Sequence, residues 1–181
     1  MIRHAPALAD GKLCGRTDVP ADCTDGARIA AVRGAIGTPG RILTSPAVRC
    51  RQTATALWPE ATPPSDARLW EQSFGAWEGR RYADLPDLGP MSTRELADHR
   101  APGGESFADV CGRVWPILAG LETESPIVIV AHAGTVRAAL ALALGSVEAG
   151  LAFDVEPLSI TRLRAFPDGK WAILSVNWTP T

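Results

Sequence analysis

Two short apolar runs, each leading directly into a helical pattern, constrain the fold of this chain more than any other feature. Residues 127–131 (IVIVA) precede a predicted helix over 135–144, and residues 41–45 (RILTS) precede one over 48–58. A further helix is predicted over 25–36, ending at Gly37. Continuous apolar strands that alternate with helices are typical of a mainly parallel sheet covered on both faces. We therefore predict an α/β protein with three α/β/α layers.

The C-terminal part of the chain has a different pattern. Residues 158–166 and 171–178 alternate as strands do, and the PDGK sequence at 167–170 is typical of a turn, so we predict a C-terminal β-hairpin. Residues 60–104 are rich in Pro, Gly, Trp and charge. We predict that they form loops and short helices over one end of the sheet.

Length and charge limit the classes of protein to which the chain can belong. Its 181 residues predict one domain, residues 1–181. Eighteen basic and 20 acidic residues give a formal net charge of −2, which argues against a nucleic-acid surface or a polybasic membrane patch. The apolar stretches fall short of the ~20 residues that a membrane span needs. We expect no nucleic-acid partner and no membrane partner, and the oligomeric state stays open.

The cysteines and the N-terminal residues indicate a reducing compartment. The four cysteines form no CxxC pair and no Cys/His cluster at ligand spacing, which predicts free thiols and no metal site. The opening MIRHAP lacks the apolar region of a signal peptide. We therefore expect a cytoplasmic protein.

Basic and hydroxyl side chains stand at the carboxyl ends of the predicted strands, where ligands of open α/β sheets bind. They are Arg3 and His4, Ser45 with Arg49 one helical turn later, and His132. Arginine forks match phosphate oxygens and stay charged at any working pH. Helix N-termini after two of these strands add partial positive charge. This pattern predicts a phosphate site.

Each of these residues also has a structural interpretation when taken alone. Arg3 and His4 could be a solvated terminus, His132 a hydrogen-bonded core histidine, and Arg49 a surface charge on an amphipathic helix. Surface charges have no reason to gather at three strand ends, however. The joint placement therefore favours a site.

Six segments resemble a known family in residue type and in order. They are RHA at 3–5, GRTDVP at 15–20, SPAVRCRQTA at 45–54, EQSFGAWEG at 71–79, PGGES at 102–106 and VAHAG at 130–134. Over about residues 3 to 145 the chain resembles the histidine phosphatase (phosphoglycerate mutase-like) superfamily. RHAP at 3–6 and CGRTDVP at 14–20 are most similar to alpha-ribazole phosphatases of cobalamin synthesis.

The resemblance implies a role for each of five residues. His4 would be the nucleophile that forms a phosphohistidine, while Arg3, Arg49 and His132 would hold the phosphate. Glu71 would protonate the leaving alcohol and later deprotonate the attacking water. An attacking imidazole must be neutral, and we expect the neighbouring guanidinium groups to lower its pKa.

The resemblance implies further phosphate contacts at Gly15, Arg16 and Ala133, and it implies no cofactor and no metal. Glu78 competes with Glu71 for the acid role. Its alternative role is to accept hydrogen bonds from nearby backbone N–H groups. His99 lies in a polar stretch, and we expect it to be solvated.

Three departures from the family pattern concern single positions. Ala5 and Pro6 follow the first histidine, where the family usually has Gly and several members then have Glu or Gln. Ala133 replaces a Gly after the second histidine, a small steric change. Cys14 directly precedes Gly15, where the alpha-ribazole branch commonly has a Tyr between them. The last departure weakens the substrate assignment more than the phosphatase assignment.

The fourth departure is a truncated first strand. Only two residues precede Arg3, whereas a family member would normally have several apolar residues there. The chain either starts upstream of this Met or has a weakened strand with a mobile His4. We expect the first, a mis-assigned start.

We therefore expect a metal-independent phosphomonoesterase that acts through a phosphohistidine on a small organic phosphate, with alpha-ribazole 5′-phosphate favoured. Alternatives are a broad-specificity or phosphoprotein phosphatase, a phosphoglycerate mutase, and a non-catalytic phosphate-binding module. The mutase is disfavoured because residues 60–104 leave little room for closing insertions. Five side chains of that segment could contact the alcohol side or simply pack the loop: Trp70, Trp77, Arg80, Arg81 and Tyr82.

Overall fold

A five-stranded sheet forms the centre of the computed structural model, which describes residues 1–121 and 125–181. The strands are β1 (Ile2–Arg3), β2 (Arg41–Thr44), β3 (Ile127–Ala131), β4 (Ile160–Ala165) and β5 (Trp171–Trp178). The α-helices are α1 (Gly26–Ile36), α2 (Val48–Leu57), α3 (Thr93–Asp98), α4 (Phe107–Ala119) and α5 (Ala133–Leu144). Short 3-10 helices span Ala67–Leu69, Gly75–Trp77, Tyr82–Asp84 and Glu148–Ala152.

The strand order is β2-β3-β1-β4-β5. The pairs β2–β3 and β3–β1 are parallel, while β4 is antiparallel to both β1 and β5. The predicted α/β class and its mainly parallel sheet are therefore confirmed. The predicted hairpin is confirmed as β4 and β5, which the turn at Phe166 closes by donating its N–H to Lys170 O at 2.8 Å.

The first strand is only two residues long, as the sequence predicts, yet it lies in the middle of the sheet. Ile2 lies between Val130 of β3 and Ile160 of β4. The next N–H group, that of His4, donates to Ala131 O at 2.9 Å and extends the ladder by one step. His4 is 4% exposed, so the structure places it in a buried and hydrogen-bonded position rather than at a loose end. The upstream start stays a prediction.

The two faces of the sheet carry separate apolar clusters, because successive strand residues point to opposite faces. On one face, Ile2, Val130 and Ile160 pack against α1 and α2. On the other face, Ile129 and Ala131 pack against α4 and α5. Helices therefore cover both faces, as three α/β/α layers require.

Helix α4 is an element that the sequence analysis did not assign. Ser106 and Asp109 form a capping box at its start: Ser106 Oγ accepts from the Asp109 N–H at 3.1 Å, and Asp109 Oδ2 accepts from the Ser106 N–H at 2.8 Å. Pro116 lies inside the helix, where a proline removes a hydrogen bond. The capping pair and the buried stripe Val110, Val114 and Ile117–Leu118 were the sequence evidence for this helix.

The middle segment has the predicted character of loops and short helices. Three of the 3-10 helices and the six-residue α3 lie within residues 60–104.

Within residues 1–121 and 125–181, no helix combines the length and apolarity needed to span a membrane.

Candidate active site

The ends of three neighbouring strands bring His4, Arg49 and His132 into contact. The ring centroids of His4 and His132 are 5.2 Å apart, with the rings at 70°. Arg49 Nε lies 3.3 Å from His4 Nε2. All three side chains are buried, with exposures of 4%, 1% and 0%. The structure therefore places these three side chains together, as their positions after the predicted strands indicate.

The contacts of the His4 imidazole indicate which of its two ring nitrogens carries the proton. Its Nδ1 lies 2.6 Å from Ala5 O, and a carbonyl accepts only from a protonated nitrogen, so Nδ1 carries the proton. Nε2 is then unprotonated, and its lone pair accepts a hydrogen bond from Arg49 Nε at 3.3 Å. Burial lowers the pKa of His4 to about 3, and the charges of Arg49 and Arg3 add to this, although the Ala5 carbonyl opposes it. The ring is therefore neutral at ordinary pH.

Arg49 is fixed by the loop that follows β1. Its Nη2 donates to Gly15 O at 2.7 Å and its Nη1 to Thr17 O at 3.2 Å. Gly15 has a φ of +27°, and a Cβ there would collide with Glu78 and with Gln72 O, so a larger residue would displace this loop. The geometry explains why a glycine is needed beside the guanidinium.

The start of α2 is already bound by the same loop. Asp18 Oδ1 accepts from the Val48 N–H at 2.8 Å. From the sequence we expect this helix N-terminus to add partial positive charge to the phosphate site. The Val48 N–H is instead occupied by a carboxylate, which neutralises part of the positive helix end.

His132 directly follows β3 and is held from several sides. Its Nε2 lies 2.8 Å from Ser45 Oγ and 3.5 Å from Cys50 Sγ. The Trp70 ring stacks on it at 7°, with centroids 6.4 Å apart. Burial lowers the pKa of His132 well below its ordinary value, and the neighbouring His4 and Arg49 side chains lower it further, since a protonated His132 would meet them as a like charge. This imidazole is also neutral.

Glu71 lies at the N-terminus of α5. Its carboxylate accepts from the Gly134 N–H at 3.2 and 3.4 Å and from the Gln72 N–H at 3.0 Å. A Cβ at Gly134 would collide with Glu71 Oε1, so this glycine makes room for the carboxylate. Burial lowers the pKa of Arg3, and the charge of the Glu71 carboxylate opposes this by raising it, so Glu71 lies close enough to act on Arg3. Ala133, a predicted phosphate contact, is the first residue of the same helix.

Glu78 is engaged in backbone hydrogen bonds. It accepts from the N–H groups of Arg16 at 3.0 Å, Thr17 at 2.6 Å and Phe74 at 3.0 Å, and from the Thr17 hydroxyl. Burial raises the pKa of Glu78, but these hydrogen bonds outweigh it and lower the pKa below its ordinary value. The geometry matches the structural alternative proposed for Glu78.

Arg16 has a competing partner for its predicted phosphate contact. Its Nη2 lies 2.8 Å from Glu105 Oε1, and the Arg16 side chain is 44% exposed. Glu105 is held in turn by Arg113, whose Nε is 2.9 Å away. In this structure the Arg16 guanidinium is therefore committed to a carboxylate.

His99 differs from the expectation that it is solvated. Its ring stacks on Trp77 with centroids 5.5 Å apart at 26°. Its Nε2 is buried and has no hydrogen-bond partner among the described residues. The reason is that His99 directly follows α3 and lies against the 3-10 helix that contains Trp77, so the ring of Trp77 covers this locally polar sequence. Trp70 and Trp77 thus pack against histidines, whereas Tyr82 is 62% exposed.

Two supporting side chains had no assigned role in the sequence analysis. Thr53 Oγ1 accepts from the Ala5 N–H at 2.9 Å and donates to Arg49 O at 2.7 Å, so it ties the residue after the nucleophile to α2. Cys50 fills the space beside His132. Both lie in the 45–54 segment, one helical turn or less from Arg49, and that spacing could have identified them.

A family model described as "Histidine phosphatase superfamily (branch 1)" matches residues 1–179. The chain is 31% identical over 166 residues to the glucosyl-3-phosphoglycerate phosphatase of Mycolicibacterium vanbaalenii, a match that covers 80% of this chain and 73% of that protein. It is 33% identical over 108 residues to a 6-phosphofructo-2-kinase/fructose-2,6-bisphosphatase of Caenorhabditis elegans, covering 57% of this chain and 24% of the relative. The match therefore spans about a quarter of that second protein.

Two solved structures of phosphatases superimpose on nearly the whole of this chain. The mycobacterial glucosyl-3-phosphoglycerate phosphatase in complex with VO3 superimposes with a TM-score of 0.82 at 26% identity, covering 100% of this chain and 98% of that one. The alpha-ribazole phosphatase of Shigella flexneri has a TM-score of 0.82 at 22% identity, covering 99% and 95%, and this likeness supports the fold alone. The predicted class, a phosphatase of this superfamily, is confirmed, and the chain belongs to the histidine phosphatase superfamily.

Proposed function

We propose that the protein is a metal-independent phosphomonoesterase that acts on a small organic phosphate through a phosphohistidine at His4. The observation that carries this proposal is the placement of His4: Nδ1 lies 2.6 Å from Ala5 O and Nε2 faces Arg49, and burial, which lowers the pKa to about 3, leaves Nε2 unprotonated. A non-catalytic phosphate site would need no imidazole prepared in this way.

In the first step, His4 Nε2 attacks phosphorus and forms a P–N bond while the P–O bond to the alcohol breaks. Glu71, protonated at this point, gives its proton to the leaving alkoxide oxygen. Arg3, Arg49 and His132 would bind the equatorial oxygens, on which charge is spread in the transition state. The products of this step are the free alcohol, a phosphohistidine and an ionised Glu71.

In the second step, Glu71 takes a proton from a water molecule as the water oxygen attacks phosphorus. The P–N bond breaks, and its electron pair returns to His4 Nε2. Orthophosphate leaves, and both residues regain their starting states. One carboxyl group thus serves both half-reactions, first as acid and then as base.

Positive charge for this reaction is supplied by side chains. Arg49 already binds both Gly15 O and Thr17 O, so its guanidinium needs little reorganisation when phosphate arrives. We therefore expect turnover to persist in EDTA.

Two substrates are candidates. Alpha-ribazole 5′-phosphate is supported by the resemblance of residues 3–6 and 14–20 to the alpha-ribazole branch. A phosphorylated glycerate ester is supported by the relative at 31% identity over 80% of this chain, which is named a glucosyl-3-phosphoglycerate phosphatase. The rings of Trp70 and Trp77 are already stacked on histidines, which leaves less aromatic surface for a ribazole base and favours the second candidate.

The test is steady-state phosphate release in EDTA from both candidates and from p-nitrophenyl phosphate. His4→Asn should abolish turnover of every ester. His99→Asn, which removes the imidazole stacked on Trp77, is the matched control and should retain it. Turnover that survives His4→Asn, or a wild-type protein that binds phosphate without hydrolysing any ester, would contradict the proposal.

A further inference from the structure

Glu71 lies in a stretch of the chain, residues 70–74, that forms neither helix nor strand. Its carboxylate nevertheless lies at the N-terminus of α5, with Oε1 3.2 Å from the Gly134 N–H. A segment without a helix or a sheet ladder of its own keeps its place through bonds to other elements, because buried backbone groups need partners. The elements that bind this stretch therefore determine where the Glu71 carboxylate stands.

Arg113 of α4 donates hydrogen bonds to three carbonyl groups of this region. They belong to Arg68 at 2.7 Å, Trp70 at 2.7 Å and Glu71 at 3.0 Å. Its other two N–H groups are bound by the Glu105 carboxylate, with Nε 2.9 Å from Oε1 and Nη2 3.0 Å from Oε2. All five donors of the guanidinium are thus engaged, three of them on the backbone that carries Glu71.

Thr135 of α5 binds the one remaining carbonyl group between Arg68 and Glu71. Its buried hydroxyl donates to Leu69 O at 3.2 Å. Thr135 directly follows Gly134, whose N–H holds the Glu71 carboxylate. Side chains of α4 and α5 therefore bind four successive carbonyl groups, and α5 holds the carboxylate as well.

The guanidinium of Arg113 acts on Glu71 by geometry more than by charge. The Glu105 carboxylate neutralises it at 2.9 Å, with the two side chains 15% and 20% exposed. The same carboxylate accepts from the Ser73 N–H at 2.9 Å, which ties a second point of the stretch to the ion pair. Because every N–H group of Arg113 is engaged in these bonds, none is left to bind a phosphate oxygen.

We propose that Arg113 is a positioning residue for the general acid: it fixes the backbone of Glu71 so that the carboxyl group stays within reach of the leaving-group oxygen. This inference rests on the proposed function, which gives Glu71 the roles of acid and base. Misplacing a catalytic arrangement by about 1 Å can cost about 10²-fold in rate. Loss of Arg113 should therefore slow the proton transfers, while Arg3 and Arg49 still bind the phosphate.

The test compares phenyl phosphate with p-nitrophenyl phosphate, two esters of similar shape. The phenolate oxygen is about as basic as that of tyrosine, with a pKa of about 10, and so needs the acid, whereas p-nitrophenolate leaves without protonation. The value of kcat/KM reports only the steps up to release of the phenol. For Arg113→Met we expect kcat/KM to fall at least tenfold on phenyl phosphate and less than threefold on p-nitrophenyl phosphate.

The second half-reaction gives a further readout with p-nitrophenyl phosphate. Hydrolysis of the phosphohistidine needs Glu71 as base, although formation of the phosphohistidine from this ester does not need the acid. In Arg113→Met, kcat and KM for this ester should therefore fall together, with a burst of p-nitrophenolate before a slower steady state. A protein that had only lost stability would lose active fraction on both esters alike and show no such split.

Two further variants test whether Arg113 acts through Glu71. Arg113→Lys keeps the positive charge but has three donors in place of five, so its ratio of the two kcat/KM values should lie between those of the wild type and Arg113→Met. In a Glu71→Gln background, Arg113→Met should change kcat/KM on phenyl phosphate less than twofold, because the group that it positions is already gone.

Arg100→Met is the matched control. Arg100 also forms a two-point ion pair with a carboxylate of α4, at 2.6 and 2.8 Å from Asp109, but these bonds do not involve residues 68–71. This variant should keep both kcat/KM values. Equal losses on the two esters in Arg113→Met, or a wild-type ratio in both Arg113 variants, would overturn the inference. Absence of turnover by the wild-type protein on both esters would instead contradict the proposed function, and the inference would fall with it.

Discussion

Arg49 Nε lies 3.3 Å from His4 Nε2, so a permanent cation is directed at the lone pair of the candidate nucleophile. The contact keeps a second proton away from the imidazole, because a protonated ring would face the guanidinium as a like charge. The remaining guanidinium nitrogens of Arg49 are bound by Gly15 O and Thr17 O. The loop after β1 and the start of α2 thus fix the cation and the nucleophile relative to each other.

Arg49→Lys should lower kcat/KM by about 10²–10³-fold, the usual effect of removing one pre-placed donor to a developing charge. A lysine keeps the positive charge, but it cannot contact Gly15 O, Thr17 O and the phosphate in one plane. Arg51→Lys, at an exposed position of the same helix, is the control and should have wild-type kinetics. Equal kinetics for the two variants would contradict the role of the fork.

Gly134→Ala should displace the Glu71 carboxylate, because the new Cβ would collide with Glu71 Oε1. We expect kcat on alkyl phosphates to fall at least tenfold, toward the loss of about 10²–10⁴-fold that complete removal of a general acid causes. The loss should be smaller for p-nitrophenyl phosphate, since p-nitrophenolate leaves without protonation.

Gly112→Ala is the matched control for this substitution. Gly112 also lies in a helix, α4, and a Cβ there would meet no atom within 4 Å. That variant should keep full activity and gain stability of about 1 kcal/mol. If both variants have wild-type kcat on alkyl phosphates, Glu71 is not the acid.

Stability should fall as the pH falls from 7 to 5. The pKa of His4 is about 3 in the fold, below its ordinary 6.5, so the unfolded chain takes up the proton first. Between these pH values the neutral imidazole of His4 should account for a loss of about 2 kcal/mol in the free energy of unfolding. His132, with its lowered pKa, acts in the same direction.

Urea denaturation at pH 5 and pH 7 measures this effect. His4→Asn should reduce the difference between the two pH values, whatever it does to stability at pH 7. His99→Asn should leave most of the difference in place. A pH dependence that is the same in the wild-type protein and in His4→Asn would contradict the buried neutral state.

Glu78→Gln should destabilise the fold more than it affects the chemical step. Its carboxylate accepts from Arg16, Thr17 and Phe74, and an amide cannot accept all of these bonds. We expect the free energy of unfolding to drop by about 2 kcal/mol, as for charged hydrogen bonds, with kcat changed less than tenfold. Glu60→Gln, at an exposed position, is the control. A loss of kcat as deep as that of Glu71→Gln would instead assign catalysis to Glu78.

The sheet and the histidine–arginine cluster could be predicted because their evidence is local in sequence. The run 127–131 is apolar and bounded, and His132 follows it directly, so the strand end and its side chain are identified together. Residues 41–45 likewise precede a helical pattern, and Arg49 lies one helical turn after Ser45. That residues 1–181 form a single domain stays a prediction.

Other features depend on contacts that are distant in sequence. The bonds of Arg113 to carbonyl groups within residues 68–71 and the stacking of His99 on Trp77 join elements whose relative position no local pattern indicates. Helix α4 was missed for a different reason: Pro116 lies inside it, although the Ser106–Asp109 capping pair was visible. Arg16 was assigned to phosphate by resemblance, and its partner Glu105 lies 89 positions further along the chain.

The most direct measurement is mass spectrometry of the protein quenched in base during turnover, because phosphohistidine survives base and is lost in acid. Glu71→Gln is used with p-nitrophenyl phosphate, because p-nitrophenolate leaves without protonation while hydrolysis of the intermediate is slowed by the loss of the base. The account predicts a phosphoryl group on the peptide that contains His4, stable at high pH, lost at low pH and missing in His4→Asn. Active enzyme that never carries a phosphoryl group on His4, or carries it on another residue, would contradict the account.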